Sequence, residues 1–141
     1  MQYADILKLS FEELEFILGE VSLEEGTLEL IRRGITLVAV TLGPKGCFYR
    51  FGTTCCGYIP TYDVSVVDTT GAGDAFLGAL LYKLWRDGKK LSQLSRTEIE
   101  AAIDFGNAAG ARTTVKKGAI PALPILAEIA DCQKSAARLN L

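Results

Sequence analysis

The stretch that most constrains this chain is "VVDTTGAGDAFLGALL", residues 66–81. An apolar run ending at Val67 meets a turn of threonine and glycine, and the pattern then switches to helical spacing from Asp74. Strand, glycine turn and helix in that order predict a helix N-terminus opening onto the end of a sheet. The first N–H groups of a helix lack partners inside it, and the helix dipole favours negative charge there. Gly71 and Gly73 let a ligand come close to the backbone. The stretch therefore reads as a place for an anion.

Asp74 is out of keeping with that, because a carboxylate beside a phosphate repels it. Two readings stay open from the residues alone. Asp74 is either a first-turn acid that stabilises the helix by about 0.3–1 kcal/mol, or a base that takes a proton from an attacking hydroxyl while the N–H groups hold a phosphoryl group. Other phosphate motifs fail on spacing. A dinucleotide fingerprint needs Gly or Ala three residues after Gly73, where Phe76 stands, and "GPKG" (43–46) is not a Walker loop.

The rest of the chain predicts an α/β fold with a partly parallel sheet. "YADILKL" (3–9) reads as a strand. "SFEELEFIL" (10–18) reads as a helix opened by a Ser10–Glu13 capping box and stopped by Gly19, and "SLEEGTLELIRRG" (22–34) repeats the device with Ser22, Glu25 and Gly34. "ITLVAVTLG" (35–43) is β-branched and apolar on both faces, the pattern of a buried parallel strand. "GCFYRF" and "GYIPTYDVSVVD" alternate and carry Pro60, which predicts antiparallel or edge strands. Helices follow from Asp74 to Gly88, over 95–115 with a Ser95–Glu98 capping box, and over 125–139, with a loop at 116–124.

Composition removes several function classes. A chain of 141 residues suits one domain. A formal net charge of −2 gives no broad basic surface for nucleic acid, and no apolar run has the length of a membrane span. The N-terminus lacks the basic and apolar regions of a signal peptide. With no histidine, every mechanism with a histidine base or ligand is excluded. The four cysteines match no zinc spacing, and they read as reduced thiols in a cytoplasmic setting.

"DTTGAGDAF" (68–76) resembles the C-terminal signature of the PfkB, or ribokinase-like, carbohydrate kinases, and within that family the bacterial fructokinases are most similar. Three further stretches match in order: "ADILKLSFEELEFILG" (4–19), "VTLGPKG" (40–46) and "NAAGARTTVKKGAIPALP" (107–124). The resemblance runs from Tyr3 to Pro124. It implies the C-terminal, ATP-binding half of a ribokinase-like three-layer α/β sandwich, without the N-terminal half that carries lid and sugar pocket.

The same resemblance implies roles. Asp74 is the base that deprotonates a sugar hydroxyl, and Gly71, Ala72 and Gly73 form the anion hole for the γ-phosphate of ATP. Thr41, Gly43 and Gly46 line the nucleotide site, with Asn107 near the adenine. Glu13 helps hold Mg²⁺ through water, although Ser10 stands where the family often has Asn, and Glu13 also pairs with Ser10 as an ordinary cap. Asp68, Thr70, Thr114, Gly118 and Ala119 supply oxygens to a monovalent cation, usually K⁺, while an aspartate such as Asp68 also commonly caps a turn. The implied substrates are ATP and a small sugar, fructose first, with ribose, a ketodeoxygluconate or a nucleoside as alternatives. A nucleotide-binding remnant without turnover is the other reading. Without the missing half, the strand "ITLVAV" is expected to need cover from its own chain, from another copy in a homo-oligomer, or from a complementing N-terminal half.

Overall fold

The computed structural model describes residues 4–86 and 88–139. Tyr3, where the first expected strand begins, lies outside them. The chain divides into two compact units between Ile59 and Pro60.

The first unit is a four-stranded sheet with two helices. β1 (Ile6–Ser10) leads directly into α1 (Phe11–Leu18), and α2 (Leu23–Arg32) follows before β2 (Leu37–Thr41), β3 (Cys47–Phe51) and β4 (Cys55–Ile59). The strand order is β1-β2-β3-β4. β1 and β2 are parallel, with Ile6 opposite Leu37 and Ser10 opposite Thr41. The β2–β3 and β3–β4 pairs are antiparallel. Both expected capping boxes form. Ser10 N–H donates to Glu13 Oε2 at 2.7 Å and Glu13 N–H to Ser10 Oγ at 3.2 Å, and Ser22 and Glu25 repeat the exchange.

Leu9, Leu14, Leu30, Ile35, Val38 and Val40 form one buried cluster, and each such side chain contributes about 1.5–3 kcal/mol by leaving water. Gly26 is buried where a β-carbon would stand 2.9 Å from Val21 Cγ2 and 3.0 Å from Leu14 Cδ2, so any larger residue there must push those side chains aside. Arg50 of β3 is also buried. Its guanidinium donates to Thr27 Oγ1 at 3.0 Å and to the carbonyls of Thr53 and Glu24, which satisfies a charge that burial would otherwise penalise.

The expectation for "ITLVAV" changes here. β2 is an interior strand of its own chain's sheet, paired on both sides. The outer strands are β1 and β4, so any edge that takes a further strand is one of those two.

The second unit is helical: α3 (Ala72–Arg86), α4 (Arg96–Thr114) and α5 (Leu126–Ser135). No strand forms over 64–67, contrary to the alternation in the sequence. Pro60 has no N–H for a ladder, and Val66 and Val67 are 61% and 64% exposed, so alternation buries nothing there. The N–H groups of Val67 and Asp68 instead both donate to the carbonyl of Thr114, at 2.7 and 3.1 Å.

α3 and α4 lie close because α4 is small where they meet. A β-carbon on Gly106 would stand 3.0 Å from the Phe76 ring, and one on Gly110 would stand 3.2 Å from the carbonyl of Ala72. Tyr62, Ala75, Ala79, Phe105, Ala108 and Ile129 share the core of this unit. Leu81, Tyr82 and Trp85 are exposed, so only the opposite face of α3 is buried. α5 stops at Ser135, short of the expected 139, and the chain turns back extended: Tyr62 bridges to Arg138, Asp63 N–H donates to the Ala137 carbonyl, and Leu139 N–H donates to that of Thr61. All four cysteines are free thiols, and burial pushes that of Cys47 well above its ordinary range. Among the described residues no helix is long and apolar enough to cross a membrane.

Candidate functional site

The second unit builds its site around one turn. Asp68 holds it from both carboxylate oxygens. Oδ1 accepts the N–H of Thr70 at 2.9 Å and its hydroxyl at 2.7 Å, and Oδ2 accepts the N–H of Gly118 at 2.9 Å. The Thr70 hydroxyl, followed by the Gly118 and Thr70 N–H groups, lowers the Asp68 carboxyl to about 2. Gly71 has φ +79°, and a β-carbon there would stand 3.0 Å from the β-carbon of Ala119 and 3.1 Å from its α-carbon. Glycine is thus required twice over, by conformation and by space. The expected residues Asp68, Thr70, Gly71, Ala72, Gly73, Asp74, Thr114, Gly118 and Ala119 come together in this one piece of structure.

The turn feeds α3, whose first bond is Ala75 N–H to the Gly71 carbonyl at 2.9 Å. Ala72 donates to the Thr69 carbonyl at 3.2 Å. Among the described residues no acceptor takes the N–H groups of Gly71, Gly73 or Asp74. Such donors at a helix start bind an anion. The Asp74 carboxylate is exposed in the first turn of the same helix.

Asn107 lies on α4, about 10 Å along the axis before Thr114. It is 5% exposed, and its Nδ2 donates to the Pro60 carbonyl at 3.4 Å.

The remaining expected residues belong to the first unit. Glu13 stands in the first turn of α1, just after β1, and its Oε2 is engaged in the cap on Ser10. Thr41 ends β2 directly opposite Ser10, and its hydroxyl donates to the Leu9 carbonyl at 3.4 Å. Gly43 (φ +57°) and Gly46 (φ +97°) shape the 3₁₀ turn that follows. Parallel pairing therefore puts Glu13, Thr41, Gly43 and Gly46 at the carboxyl end of β1 and β2, where ligands bind in sheets of this kind.

These residues fit the implied ions unevenly. The Thr114 carbonyl already accepts two N–H groups, which uses both its lone pairs. The Ala119 carbonyl accepts one, from Ala122. Among the described residues none is donated to the carbonyls of Thr70 and Gly118. Asp68, Thr70, Gly118 and Ala119 thus form an oxygen set that suits a hard cation, with Thr114 as backbone support. Among the described residues no three acidic or cysteine side chains gather, so a Mg²⁺ in the first unit would have Glu13 as one carboxylate and would take its other ligands from water and phosphate oxygens.

Sequence reasoning missed three contributors. The Thr69 carbonyl ties down Ala72, Gly110 makes room for the first turn of α3, and Tyr62, Asp104 and Arg138 cluster beside Pro60. Two glycines four apart on an alanine-rich helix signal the second; nothing local signals the others.

The profile of the pfkB family carbohydrate kinases matches residues 1–126. A rice protein, fructokinase-1 of Oryza sativa subsp. japonica, is 46% identical over 134 residues, which is 94% of this chain and 41% of the relative. Among solved structures, the ribokinase of Thermotoga maritima superposes with TM-score 0.81 at 32% identity, over 95% of this chain and 43% of that one. A double-mutant fructokinase of Vibrio cholerae O395, in fructose, ADP and potassium ion bound form, gives 0.81 at 38% identity over 92% and 40%. The chain thus has the ribokinase-like fold and spans about two fifths of the length of the relatives it matches. With its signature turn, its α/β fold and these likenesses in agreement, the chain belongs to the pfkB family of carbohydrate kinases.

Proposed function

We propose that this chain is the nucleotide-binding and catalytic part of an ATP-dependent sugar kinase, with fructose as the preferred acceptor and fructose 6-phosphate as product. The observation that carries the reading is the turn at 68–74: N–H donors at Gly71 and Gly73 that have no acceptor among the described residues, with the Asp74 carboxylate at the same helix start. In the reaction, Asp74 takes the proton of the sugar hydroxyl as its oxygen attacks the γ-phosphorus. The oxygen–phosphorus bond to ADP breaks in line. The N–H groups of Gly71 and Gly73, with Ala72 between them, hold the phosphoryl oxygens where negative charge develops. Asp68 keeps that turn in shape. Thr41, Gly43 and Gly46 take the nucleotide in the first unit, and Asn107 takes the adenine side. Mg²⁺ at Glu13, and K⁺ at the oxygens of Asp68, Thr70, Gly118 and Ala119, offset phosphate charge when bound.

The bound fructose, ADP and potassium of the Vibrio relative support this choice of substrate and ions. Ribose, a ketodeoxygluconate or a nucleoside are the alternative acceptors, and one solved relative is an aminoimidazole riboside kinase from Salmonella enterica. Free cysteines fit a reducing, cytoplasmic setting.

The coverage of about two fifths supports a second reading, a nucleotide-binding piece that does not turn over on its own. A complementing N-terminal half, or a second copy, would then add to the open edge of β1. The two readings separate in one assay. ADP release that depends on fructose, and is lost in Asp74→Asn, supports the first. ATP binding with no sugar-dependent release supports the second.

A further inference from the structure

Lys8 lies on the face of the first unit's sheet that looks away from α1 and α2. Side chains alternate along a strand, and paired residues share a face. Leu9, Val38 and Val40 point to the helices, in one cluster with Leu14 and Leu30. Lys8 points the other way, in a row with Ala39, Tyr49 and Gly57, and the next row toward the carboxyl end of β1 is Ser10, Thr41, Cys47 and Ile59. Neither row holds a carboxylate, and neither does the row before them, from Ile6 to Cys55. Lys8 is thus the one charged strand residue of that face. It is half-buried, and among the described residues its ammonium has no hydrogen bond or ion pair.

A lysine on an outer strand has one ordinary use, to keep a further strand from pairing there, and for that its charge stands in solvent off the edge. Lys8 leans the other way. Burial pushes the Cys47 thiol up, against a backbone hydrogen bond at Val40 and the charge of Lys8. Cys47 lies two strands from Lys8, across Thr41, so a charge that acts on it reaches over β2 toward the carboxyl end. Ala39 leaves room for that stem with its single methyl. Tyr49 is drawn to its other side, where a β-carbon on Gly57 would stand 2.9 Å from the ring. The thiol stays neutral, so it does not balance the ammonium, and a half-buried charge without a counter-charge is costly. The end of the parallel pair is where ligands bind in such sheets, and a lysine, a point charge on a flexible stem, suits phosphate oxygens. We propose that Lys8 is a binding residue for the phosphate chain of the nucleotide, on the sheet face it shares with Thr41. The proposal rests on the reading of the carboxyl end of β1 and β2 as the nucleotide's place.

The test uses the full chain, with calorimetric titration of Mg-ATP at several salt concentrations beside unfolding midpoints and sedimentation. Lys8→Met keeps the stem and removes the charge. It is expected to weaken Mg-ATP about tenfold, the size of one charged hydrogen bond, and to flatten the fall of affinity with salt, while the unfolding midpoint holds or rises. Lys8→Gln, a second neutral variant, should do the same, and Lys8→Arg should recover most of the affinity. Neutral variants that bind Mg-ATP as the wild type does overturn the proposal, and self-association of those variants would make Lys8 a guard of the β1 edge. A loss of affinity that follows a lower midpoint, or that arginine does not recover, also overturns it and assigns Lys8 to the fold. A wild-type chain that binds no Mg-ATP refutes the nucleotide reading and this proposal with it, a result distinct from any confined to the Lys8 variants.

Discussion

Gly71 packs against Ala119 so closely that a β-carbon on Gly71 would stand 3.0 Å from the β-carbon of Ala119. The contact joins the start of α3 to the loop after α4. Asp68 makes a second tie between the same segments, through Gly118. The turn proposed to bind an anion is therefore shaped by packing and hydrogen bonds of its own chain, and its weak points can be named.

Gly71→Ala must adopt φ +79° and displace Ala119. The positive φ costs about 1 kcal/mol or more for a residue with a side chain, and the overlap adds to it. We expect a loss of about 1–3 kcal/mol in urea unfolding, together with loss of Mg-ATP binding. An alanine variant with wild-type stability and affinity would remove the turn from the account.

Asp74→Asn should separate chemistry from folding. The side chain is exposed, so losing a first-turn charge costs at most about 1 kcal/mol of stability. Sugar-dependent ADP release should fall by about 10²–10⁴, the usual contribution of a general base, with Mg-ATP affinity retained. Stopped-flow or coupled-enzyme rates beside a calorimetric titration would show the split.

Asp68 gives a pH signature. Its carboxyl is lowered to about 2 from an ordinary value of 3.8. A lowered carboxyl contributes stability that is complete above the unfolded value and is lost as pH falls toward the folded one. The window is therefore pH 4 down to 2. Over it, the wild type should lose stability more steeply than Asp68→Asn, in which the titrating group is gone. Glu98, also lowered to about 2 by Lys89 and Ser95, titrates in both proteins and cancels in the comparison. Urea midpoints at several pH values across that window provide the check, and parallel slopes would contradict the clamp.

Glu13 can be tested for its two roles at once. Glutamine at this position of a capping box still reaches back to the Ser10 N–H, so Glu13→Gln should unfold within about 0.5 kcal/mol of wild type. The same change removes the carboxylate proposed to help hold Mg²⁺. We expect the Mg²⁺ concentration needed for ATP binding to rise several-fold, with ATP affinity in saturating Mg²⁺ nearly unchanged. An unaltered Mg²⁺ requirement would leave Glu13 as a cap alone.

Much of this was legible in the residues. Capping boxes at Ser10, Ser22 and Ser95 are local devices, read three residues at a time, and all three form. The apolar run 35–43 and the glycine turn at 71–73 are equally local. The misses are long-range. Val64–Val67 alternate like a strand, yet whether an alternating segment joins a sheet depends on a free neighbour, and here the Thr114 carbonyl takes the N–H of Val67 and of Asp68 after it instead. The last residues of the chain read as helix, but the strap is pulled back by Tyr62 and Asp104, which lie 76 and 34 positions from Arg138 in sequence. The use of Thr114's carbonyl as a backbone acceptor, likewise, is set by a partner 46 residues away.

The most direct test is thermal unfolding of the chain with and without Mg-ATP. If the turn at 68–74 holds a phosphate, ligand at about 100 times its Kd should add about 2.7 kcal/mol and raise the midpoint by several degrees, and Gly71→Ala should abolish the rise. A wild-type chain that melts cooperatively at the same temperature with and without Mg-ATP would contradict the account.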